Sequence, residues 1–432
     1  MINSKKIGLI EAISIGIGGM VGGGIFAVLG LAVSLGKGGT PISFLIAGVI
    51  ALITSYSYIK LSLTFPDRGG TVNFINQGFG KGIFSGGINN LLWISYIIML
   101  SLYASAFGSY APNLLPLTDD KIIDFHIYLT TIIILATAIN YYSIKVIGKI
   151  ESYAVIIKVV ILISFVFIGV YGLSNNPNIT QLSISSWGTP LELLTGGMVI
   201  FVAYEGFELI ANAVPDIENP KVNVPKAYYY SVIFVIFLYV IIAIITVGSL
   251  PFSKIATAED YVLAEAAKPM LGEIGFTIIT IAALISTFSA INASLYGGSQ
   301  VSYEIAEDDE LPHQLTSKLW NQPIGLFITS VATLILANSL NLESISTAGS
   351  VGFLLIFSMV NYVGFKLSKD TNGNKTIHII GFLLSLIATV VLIIQQYSSN
   401  KIGVFTAITI IGFSFLIEYI YKKSKNKLLI KS

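Results

Sequence analysis

The sequence predicts an all-α polytopic membrane protein with twelve transmembrane helices, and three observations support this. Hydrophobic residues make up 54% of the 432 residues and charged residues only 11%, against about 25% charged residues in an ordinary soluble domain. Mean hydropathy is +0.82. The apolar residues also fall into runs of about 20, the length that crosses a bilayer as a helix. So few charges could not cover a soluble protein of this length, which argues against a soluble enzyme, a coiled coil or a disordered chain.

Twelve apolar runs are long enough to be candidate spans. Their approximate bounds are 8–34, 42–64, 84–110, 122–142, 152–173, 191–213, 227–250, 273–300, 324–340, 347–367, 376–397 and 403–421. The first run follows Lys5 and Lys6, as in a signal peptide, but it is too long and too rich in glycine for one, and it contains Glu11. We therefore expect it to be the first span.

The distribution of lysine and arginine predicts the orientation in the membrane. With the N-terminus inside, 18 of the 24 basic residues are cytoplasmic, as the positive-inside rule requires. Five would lie outside: Lys37, Lys121, Lys254, Lys268 and Lys401. The remaining one, Lys158, lies within a span. We expect a plasma-membrane protein with both termini in the cytoplasm, and an acidic run at 307–310 on its solvated cytoplasmic face.

Charge and residue types exclude several classes of function and cofactor. The net charge of +1 gives no sign of a nucleic-acid partner, and the chain has no cysteine, so thiolate metal sites and a cysteine nucleophile are excluded. His126, His313 and His378 are far apart in the sequence and suggest no metal site. Residues 22–27 fit a dinucleotide-binding pattern, but no strand precedes them. We expect no cofactor and no nucleotide.

A glycine-rich stretch interrupts the first span. Gly22, Gly23 and Gly24 are consecutive, and each interior glycine costs a helix about 1 kcal/mol relative to alanine. Backbone unwinds at membrane depth only where protein or a wet cavity surrounds it. The N–H groups freed there would bind an anion such as a carboxylate. The alternative is close helix packing, since Gly18 and Gly22 have G-x-x-x-G spacing, as do Gly19 and Gly23.

A second interruption lies in the sixth span, where Glu205, Gly206 and Glu208 follow an apolar run. An ionisable residue inside a span is by default a functional hypothesis. The alternative for Glu205 is a carboxyl that is hydrogen-bonded in a polar bundle interior. Glu208, one turn nearer the cytoplasm, is expected to lie beyond the break and to be structural. Breaks in the first and sixth spans are typical of two inverted five-helix repeats with a site between them.

With these motifs the sequence resembles the amino acid–polyamine–organocation (APC) transporter family. The similar segments are residues 18–26 of the first span, 66–71 after the second, 201–208 of the sixth, 218–227 after it and 298–312 after the eighth. They occur in the family's order and on the predicted sides of the membrane. The acidic run after span eight departs from the family, which usually has basic residues there.

The resemblance implies a fold with ten core helices in a 5+5 inverted repeat and two accessory helices. The transport core would be residues 1–367, with repeats at about 8–173 and 191–367. Residues 368–432 would form the two accessory helices and a basic cytoplasmic tail.

The resemblance also implies where an amino acid would bind. Its carboxylate would meet the backbone of 21–24, and its ammonium the carbonyls of Val202, Ala203 and Glu205, which agrees with the positive end of a half-helix dipole. Family members often have an aromatic residue immediately before Ala203, where this chain has Val202, with Phe201 one residue earlier. The substrate-binding residues implied are Val21, Gly22, Gly23, Gly24, Phe201, Val202, Ala203, Glu205 and Gly206.

Lys158 lies about six residues into the fifth span. Its ammonium could extend along the helix to the cytoplasm, since long side chains do so near span ends. Alternatively it is buried and carries a proton, because desolvation lowers the pKa of a lysine. The resemblance implies the second role, with the lysine in the place that sodium takes in related transporters. Ser286, Thr287 and Ser289 of span eight are the hydroxyls expected near it.

The predicted function is secondary active transport of neutral L-amino acids with protons by alternating access. The partners are then an amino acid, protons and the lipid bilayer. An amino acid exchanger without proton coupling is the alternative within this class. An amino acid sensor that binds without transport is the alternative outside it. An enzyme is disfavoured because the spans lack histidine pairs, cysteines and clustered catalytic carboxylates.

Overall fold

The structure is a computed structural model that describes residues 6–142, 144–173, 176–319 and 322–429. Lys5 and Lys431, which contribute to the predicted orientation, lie outside these ranges. The described α-helices are α1 (Leu9–Met20), α2 (Gly24–Gly36), α3 (Thr40–Thr64), α4 (Thr71–Phe79), α5 (Ile83–Tyr110), α6 (Lys121–Tyr142), α7 (Ile144–Leu173), α8 (Pro190–Val199), α9 (Leu209–Ala213), α10 (Pro220–Ser249), α11 (Phe252–Thr257), α12 (Val262–Glu307), α13 (Ile324–Ser339), α14 (Leu342–Lys366), α15 (Lys375–Ser399) and α16 (Lys401–Leu429). Strands β1 (Lys318–Leu319) and β2 (Gln322–Pro323) pair antiparallel.

These helices form a multi-pass membrane protein. Within the described ranges, nine helices are long and apolar enough to cross a membrane. Two further candidate crossings in the described ranges are pairs of helices joined at a bend: α1 with α2 at 47°, and α8 with the segment 201–216 at 45°. The predicted ninth span corresponds to α13, which has only 16 residues, short of the 20 or so that a full crossing needs.

Polar caps set where several of the apolar helices begin. Thr189 and Glu192 form a reciprocal capping box at the start of α8. Asn341 accepts a hydrogen bond from the backbone N–H of Ser344 at the start of α14, and Asn374 caps α15 in the same way. Each cap satisfies a backbone donor that has no partner inside the helix. The capping residues therefore separate long apolar runs into distinct spans.

Burial distinguishes a central helix from peripheral ones. In α5, 94% of the most apolar 18-residue window is buried, against 28% in α16 and 33% in α15. A helix that is apolar all round and buried belongs in the interior of a bundle, and one with an exposed apolar face lies at its lipid-facing edge. Helix α5 is therefore the central element, and the helices of the 368–432 region lie at the periphery.

Helix α12 differs from the predicted eighth span of 273–300, because it extends from Val262 to Glu307. Gly272 lies inside it with a φ of 60° and a ψ of −150°, a left-handed backbone that glycine adopts without a Cβ clash. The segment 251–272 between the predicted seventh and eighth spans is thus largely helical, and a kink at Gly272 joins it to the eighth span.

The acidic run after α12 is only partly a solvated face, so that prediction is wrong for Glu310. This side chain is fully buried, and it accepts hydrogen bonds from Ser85 at 2.8 Å and Asn89 at 2.6 Å. Burial raises the pKa of Glu310, while the two hydrogen bonds lower it. Asp308 pairs with Lys81 at 2.8 Å. The run therefore attaches the end of α12 to the start of α5.

Candidate functional site at two helix breaks

The break in the first span lies between Met20, where α1 ends, and Gly24, where α2 begins. The glycines leave room for other helices to touch this backbone. A Cβ on Gly23 would overlap the ring of Tyr103 in α5, and one on Gly24 would lie 2.8 Å from Cα of Ala203. Any larger residue at these positions would displace α5 or the sixth span.

Close packing also occurs, at Gly19 of the predicted Gly19 and Gly23 pair. A Cβ on Gly19 would lie 2.7 Å from the carbonyl oxygen of Gly206, and one on Gly206 would overlap the carbonyl carbon of Gly19. The two alternatives for the glycine-rich stretch therefore both hold, with helix packing at Gly19 and unwinding at 21–23.

Side chains from two other helices bond the carbonyl groups of Met20, Val21 and Gly22 at the first break. Tyr239 of α10 donates to the carbonyl of Met20 at 2.6 Å. Ser286 of α12 donates to the carbonyl of Val21 at 3.1 Å, and also contacts that of Gly22. The last carbonyls of a helix have no partner inside it, so these side chains supply their hydrogen bonds. Helix α2 begins without a side-chain cap, and its first N–H groups have no acceptor within the helix.

The break in the sixth span is a 3₁₀-helix, Phe201–Glu208, between α8 and α9. Ser346 and Ser350 of α14 both donate to the carbonyl of Val199, at 2.7 Å and 2.8 Å. Ser350 also accepts from the N–H of Val202 at 3.1 Å. These contacts attach the junction between α8 and the 3₁₀-helix to α14, which is the tenth predicted span. Residues three apart eclipse each other in a 3₁₀-helix, so Val202, Glu205 and Glu208 share one edge.

The two carboxyl groups on that edge have different surroundings. Glu208 accepts hydrogen bonds from three hydroxyl groups, those of Thr71 at 2.7 Å, Tyr96 at 2.8 Å and Tyr58 at 3.2 Å. Glu205 is 3% exposed, and within the described residues its Oε2 has no hydrogen-bond partner. Glu208 was expected beyond the break, but the structure places it inside the same 3₁₀ segment.

Lys158 is completely buried in α7, and its Nζ donates to the carbonyl of Gly18 at 3.0 Å. The alternative in which the ammonium extends to the cytoplasm is therefore wrong. Of the span-eight hydroxyls, Ser286 reaches the same break, whereas Thr287 bonds the carbonyls of Ala283 and Leu284 in its own helix. Lys158 and Ser286 thus both contact carbonyls between Gly18 and Gly22.

Sequence reasoning missed the tyrosines that surround the breaks. Tyr58, Tyr96, Tyr103 and Tyr239 are all buried, and each contacts a break or Glu208. A signal was present, because tyrosines usually lie at the ends of spans, in the aromatic belts, whereas these four lie well inside apolar runs. Phe201 is also buried, with its ring edge-on to Phe357 at 5.8 Å between centroids.

Comparisons with known proteins agree on one family. The family model described as amino acid permease matches residues 7–416. A Methanocaldococcus jannaschii protein described as uncharacterized is 36% identical, over 98% of this chain and 96% of its own length. The inner membrane transport protein YbaT of Escherichia coli is 30% identical, over 98% and 97%. The serine/threonine exchanger SteT of Bacillus subtilis is 23% identical, over 86% and 85%.

Proposed function

Because this chain belongs to the amino acid permease family, whose members are transporters and not enzymes, we propose that it carries neutral L-amino acids together with protons. Amino acid transport follows from the family. Proton coupling, the choice of neutral substrates, the plasma membrane and the cytoplasmic termini are our proposals. Alternating access would expose one central site to the two sides of the membrane in turn.

The proposed architecture is two inverted repeats, at about 8–173 and 191–367, followed by two accessory helices in 368–432. The bends of 47° and 45° support it, because they fall in the first span of each proposed repeat. The peripheral position of α15 and α16 agrees with an accessory role. Paired broken helices in two halves of a chain are the usual sign of a transporter's central site.

The proposed substrate site lies where the two breaks meet, at Gly24 and Ala203. The substrate carboxylate would bind the unpaired N–H groups at the start of α2, next to Val21, Gly22 and Gly23. Its ammonium would bind the carbonyls of 202, 203 and 205, with Phe201 and Gly206 flanking them. The charges match, since the start of a helix is electropositive and the carbonyl oxygens at a helix break attract cations.

The observation that carries proton coupling is the buried contact of Lys158 with Gly18. Burying an ammonium away from water costs several kcal/mol, and release of its proton avoids that cost. The neutral amine could regain a proton when the site opens to the other side. Since Nζ lies on the first-span backbone, each protonation change would alter a contact of the helix that binds the substrate.

Uptake of radiolabelled amino acids into proteoliposomes tests this proposal. Wild-type protein should accumulate neutral amino acids when an inward proton gradient is applied, and sodium should have no effect. Lys158→Ala should bind substrate but take it up slowly and independently of the gradient. Lys60→Ala is the matched control, because Nζ of Lys60 also bonds a backbone carbonyl, that of Asn372 at 3.0 Å, but at the protein surface.

The outcomes also separate the alternatives. Sodium-stimulated uptake by wild-type protein, or gradient-driven accumulation by Lys158→Ala, would contradict proton transfer at Lys158. Uptake only into liposomes preloaded with amino acid would favour the exchanger. Saturable binding without any flux would favour the sensor.

A further inference from the structure

In the described part of the chain, Glu205 and Glu208 are two buried carboxyl groups on one helix edge that differ in their hydrogen bonds. Glu208, one 3₁₀ turn away, has three hydroxyl donors. Among the residues that the structure describes, Oε2 of Glu205 has no hydrogen-bond partner, although the side chain is 3% exposed. A buried polar group without a hydrogen bond is destabilising. A side chain with this cost, at a helix break, points to a hydrogen bond that forms only when a ligand is present.

The edge that carries Glu205 faces α5 and α14. At one end of it, Val202 bonds Ser350 of α14 through its N–H. At the other end, Glu208 bonds Tyr96 of α5. Glu205 lies between these two contacts on the same edge, since residues three apart eclipse in a 3₁₀-helix. We therefore infer that its carboxyl lies among the helices that contact this edge, which are α14 beside Val202 and α3, α4 and α5 beside Glu208.

The proposed position of the substrate main chain leaves the region along this edge for the substrate side chain. Tyr103 closes over Gly23, and the Cβ of Ala290 lies 3.0 Å from where a Cβ on Gly22 would be. Ala203 closes over Gly24. With the carboxylate and ammonium on the two breaks, the side chain extends along the edge of 202–208, toward Glu205.

Helix α14 packs closely against the Val202 end of this edge. A Cβ on Gly349 would lie 3.1 Å from Cγ2 of Val202 and 3.3 Å from Cγ2 of Ile98. These contacts are tighter than ordinary van der Waals distances, so the helices would have to move apart to admit a long side chain beside Val202. We therefore expect the site to prefer a substrate side chain of a few atoms.

We propose that Glu205 hydrogen-bonds the side chain of the substrate, and that the preferred substrates are small amino acids with a hydroxyl group, such as threonine and serine. This rests on the proposed function and narrows its substrate class. A hydroxyl both donates and accepts, so it pairs with the carboxyl in either protonation state. A valine side chain fills the volume of a threonine side chain, and an alanine side chain is a serine side chain without its hydroxyl. Both leave Glu205 unpaired, and sites built around such a hydrogen bond reject the analogue that lacks it.

Competition between isosteric substrates tests the proposal. Uptake of labelled threonine by wild-type protein in proteoliposomes is measured against unlabelled threonine, valine, serine, alanine and lysine. Threonine should compete at least about tenfold better than valine, and serine similarly better than alanine. We call the ratio of the valine to the threonine concentration that halves labelled uptake the threonine-to-valine ratio. Glu205→Leu should bring this ratio within about threefold of one, because it removes the hydrogen bond. Glu205→Gln keeps an acceptor and a donor at this position and should preserve the preference.

Glu208→Gln is the matched control, a carboxyl on the same edge whose hydrogen bonds are already made within the protein. Its threonine-to-valine ratio should stay at the wild-type value even where its total uptake falls. If Glu205→Leu cannot be purified, Glu205→Ala removes the carboxyl without adding bulk and should give the same ratio.

Three results would overturn the proposal. The first is a threonine-to-valine ratio near one in wild-type protein, and the second is an unchanged ratio in a variant that lacks the Glu205 carboxyl. The third is stronger competition by lysine than by threonine. Failure to take up any amino acid is a different result, since it would contradict the proposed function itself.

Discussion

The two helix breaks achieve similar bends by different means. The first spans only residues 21–23 and depends on glycines, against which Tyr103 and Ala203 pack. Its carbonyls are capped by side chains from α7, α10 and α12. The second is an eight-residue 3₁₀-helix. It needs a glycine only at Gly206, where it packs on Gly19, and it is otherwise attached to its neighbours by hydrogen bonds of its own backbone and of Glu208.

This difference predicts different responses to mutation. A break that depends on the lack of side chains should fail at once when a Cβ is added, because backbone and ring atoms already occupy the space. A break that depends on hydrogen bonds should weaken in steps, since each lost bond removes about 1 kcal/mol.

The largest effect is expected at the first break. Gly23→Val and Gly24→Val should abolish substrate binding without preventing membrane insertion. The added side chains would overlap Tyr103 or lie too close to the backbone of Ala203. The branched Cβ of valine restricts χ1, so rotation of the side chain would not relieve the overlap. Equilibrium binding of labelled threonine to purified variants is the measurement.

Gly412→Val is the matched control for these substitutions. Gly412 lies in α16, and no heavy atom lies within 4 Å of the place where its Cβ would be. The control should bind like wild-type protein. Unchanged affinity in Gly23→Val or Gly24→Val would exclude the anion site at this break.

At the second break the largest effect is expected from Glu208. Glu208→Leu leaves the hydroxyls of Thr71, Tyr96 and Tyr58 without their acceptor, and it should destabilise the protein by about 3 kcal/mol or more. Thermal unfolding in detergent should show a clearly lower Tm. Glu205→Leu, which removes an unpartnered oxygen from the same edge, should change Tm little. Equal losses of stability in the two variants would contradict the contrast between these carboxyls.

The sequence predicted the location of both breaks but not how they are held. Three consecutive glycines in an apolar run, and a Glu-Gly pair in another, are local signals, because glycine and charge each disfavour a buried helix. The partners of the breaks are far away in the chain. Tyr239 contacts Met20 from 219 residues along, and Ser350 contacts Val202 from 148 residues along, so helix periodicity alone could not pair them.

Lys158 and Glu310 show the same limit. From its position in the span, the Lys158 ammonium could extend either to the cytoplasm or to the first span. The packing of α7 against α1 brings it to the carbonyl of Gly18 in the first span. An acidic run after a helix is usually solvated, but here Ser85 and Asn89 offer donors to Glu310. Tertiary contacts therefore decide the roles of both charges.

Tyr239 offers a test that involves both breaks at once. Its hydroxyl donates to the carbonyl of Met20 at 2.6 Å and lies 3.4 Å from that of Ala203. Tyr239→Phe leaves the Met20 carbonyl unpaired, which should cost about 1–2 kcal/mol and weaken substrate affinity about tenfold. The loss should be clear in the Kd for substrate and small in the Tm. A variant with wild-type affinity would show that the hydroxyl does not set the spacing of the breaks.

The smallest effects are expected from the two serines of α14, which form a matched pair within the second break. Both donate to the carbonyl of Val199, but only Ser350 also accepts from the N–H of Val202. Ser346→Ala leaves that carbonyl bonded to Ser350, so the loss should be a few tenths of a kcal/mol. Ser350→Ala leaves the buried N–H of Val202 unpaired, and such a group costs about 1 kcal/mol or more. Substrate affinity should therefore fall several-fold in Ser350→Ala and hardly change in Ser346→Ala. Equal effects would mean that the carbonyl of Val199, rather than the N–H next to the ammonium site, holds this break in place.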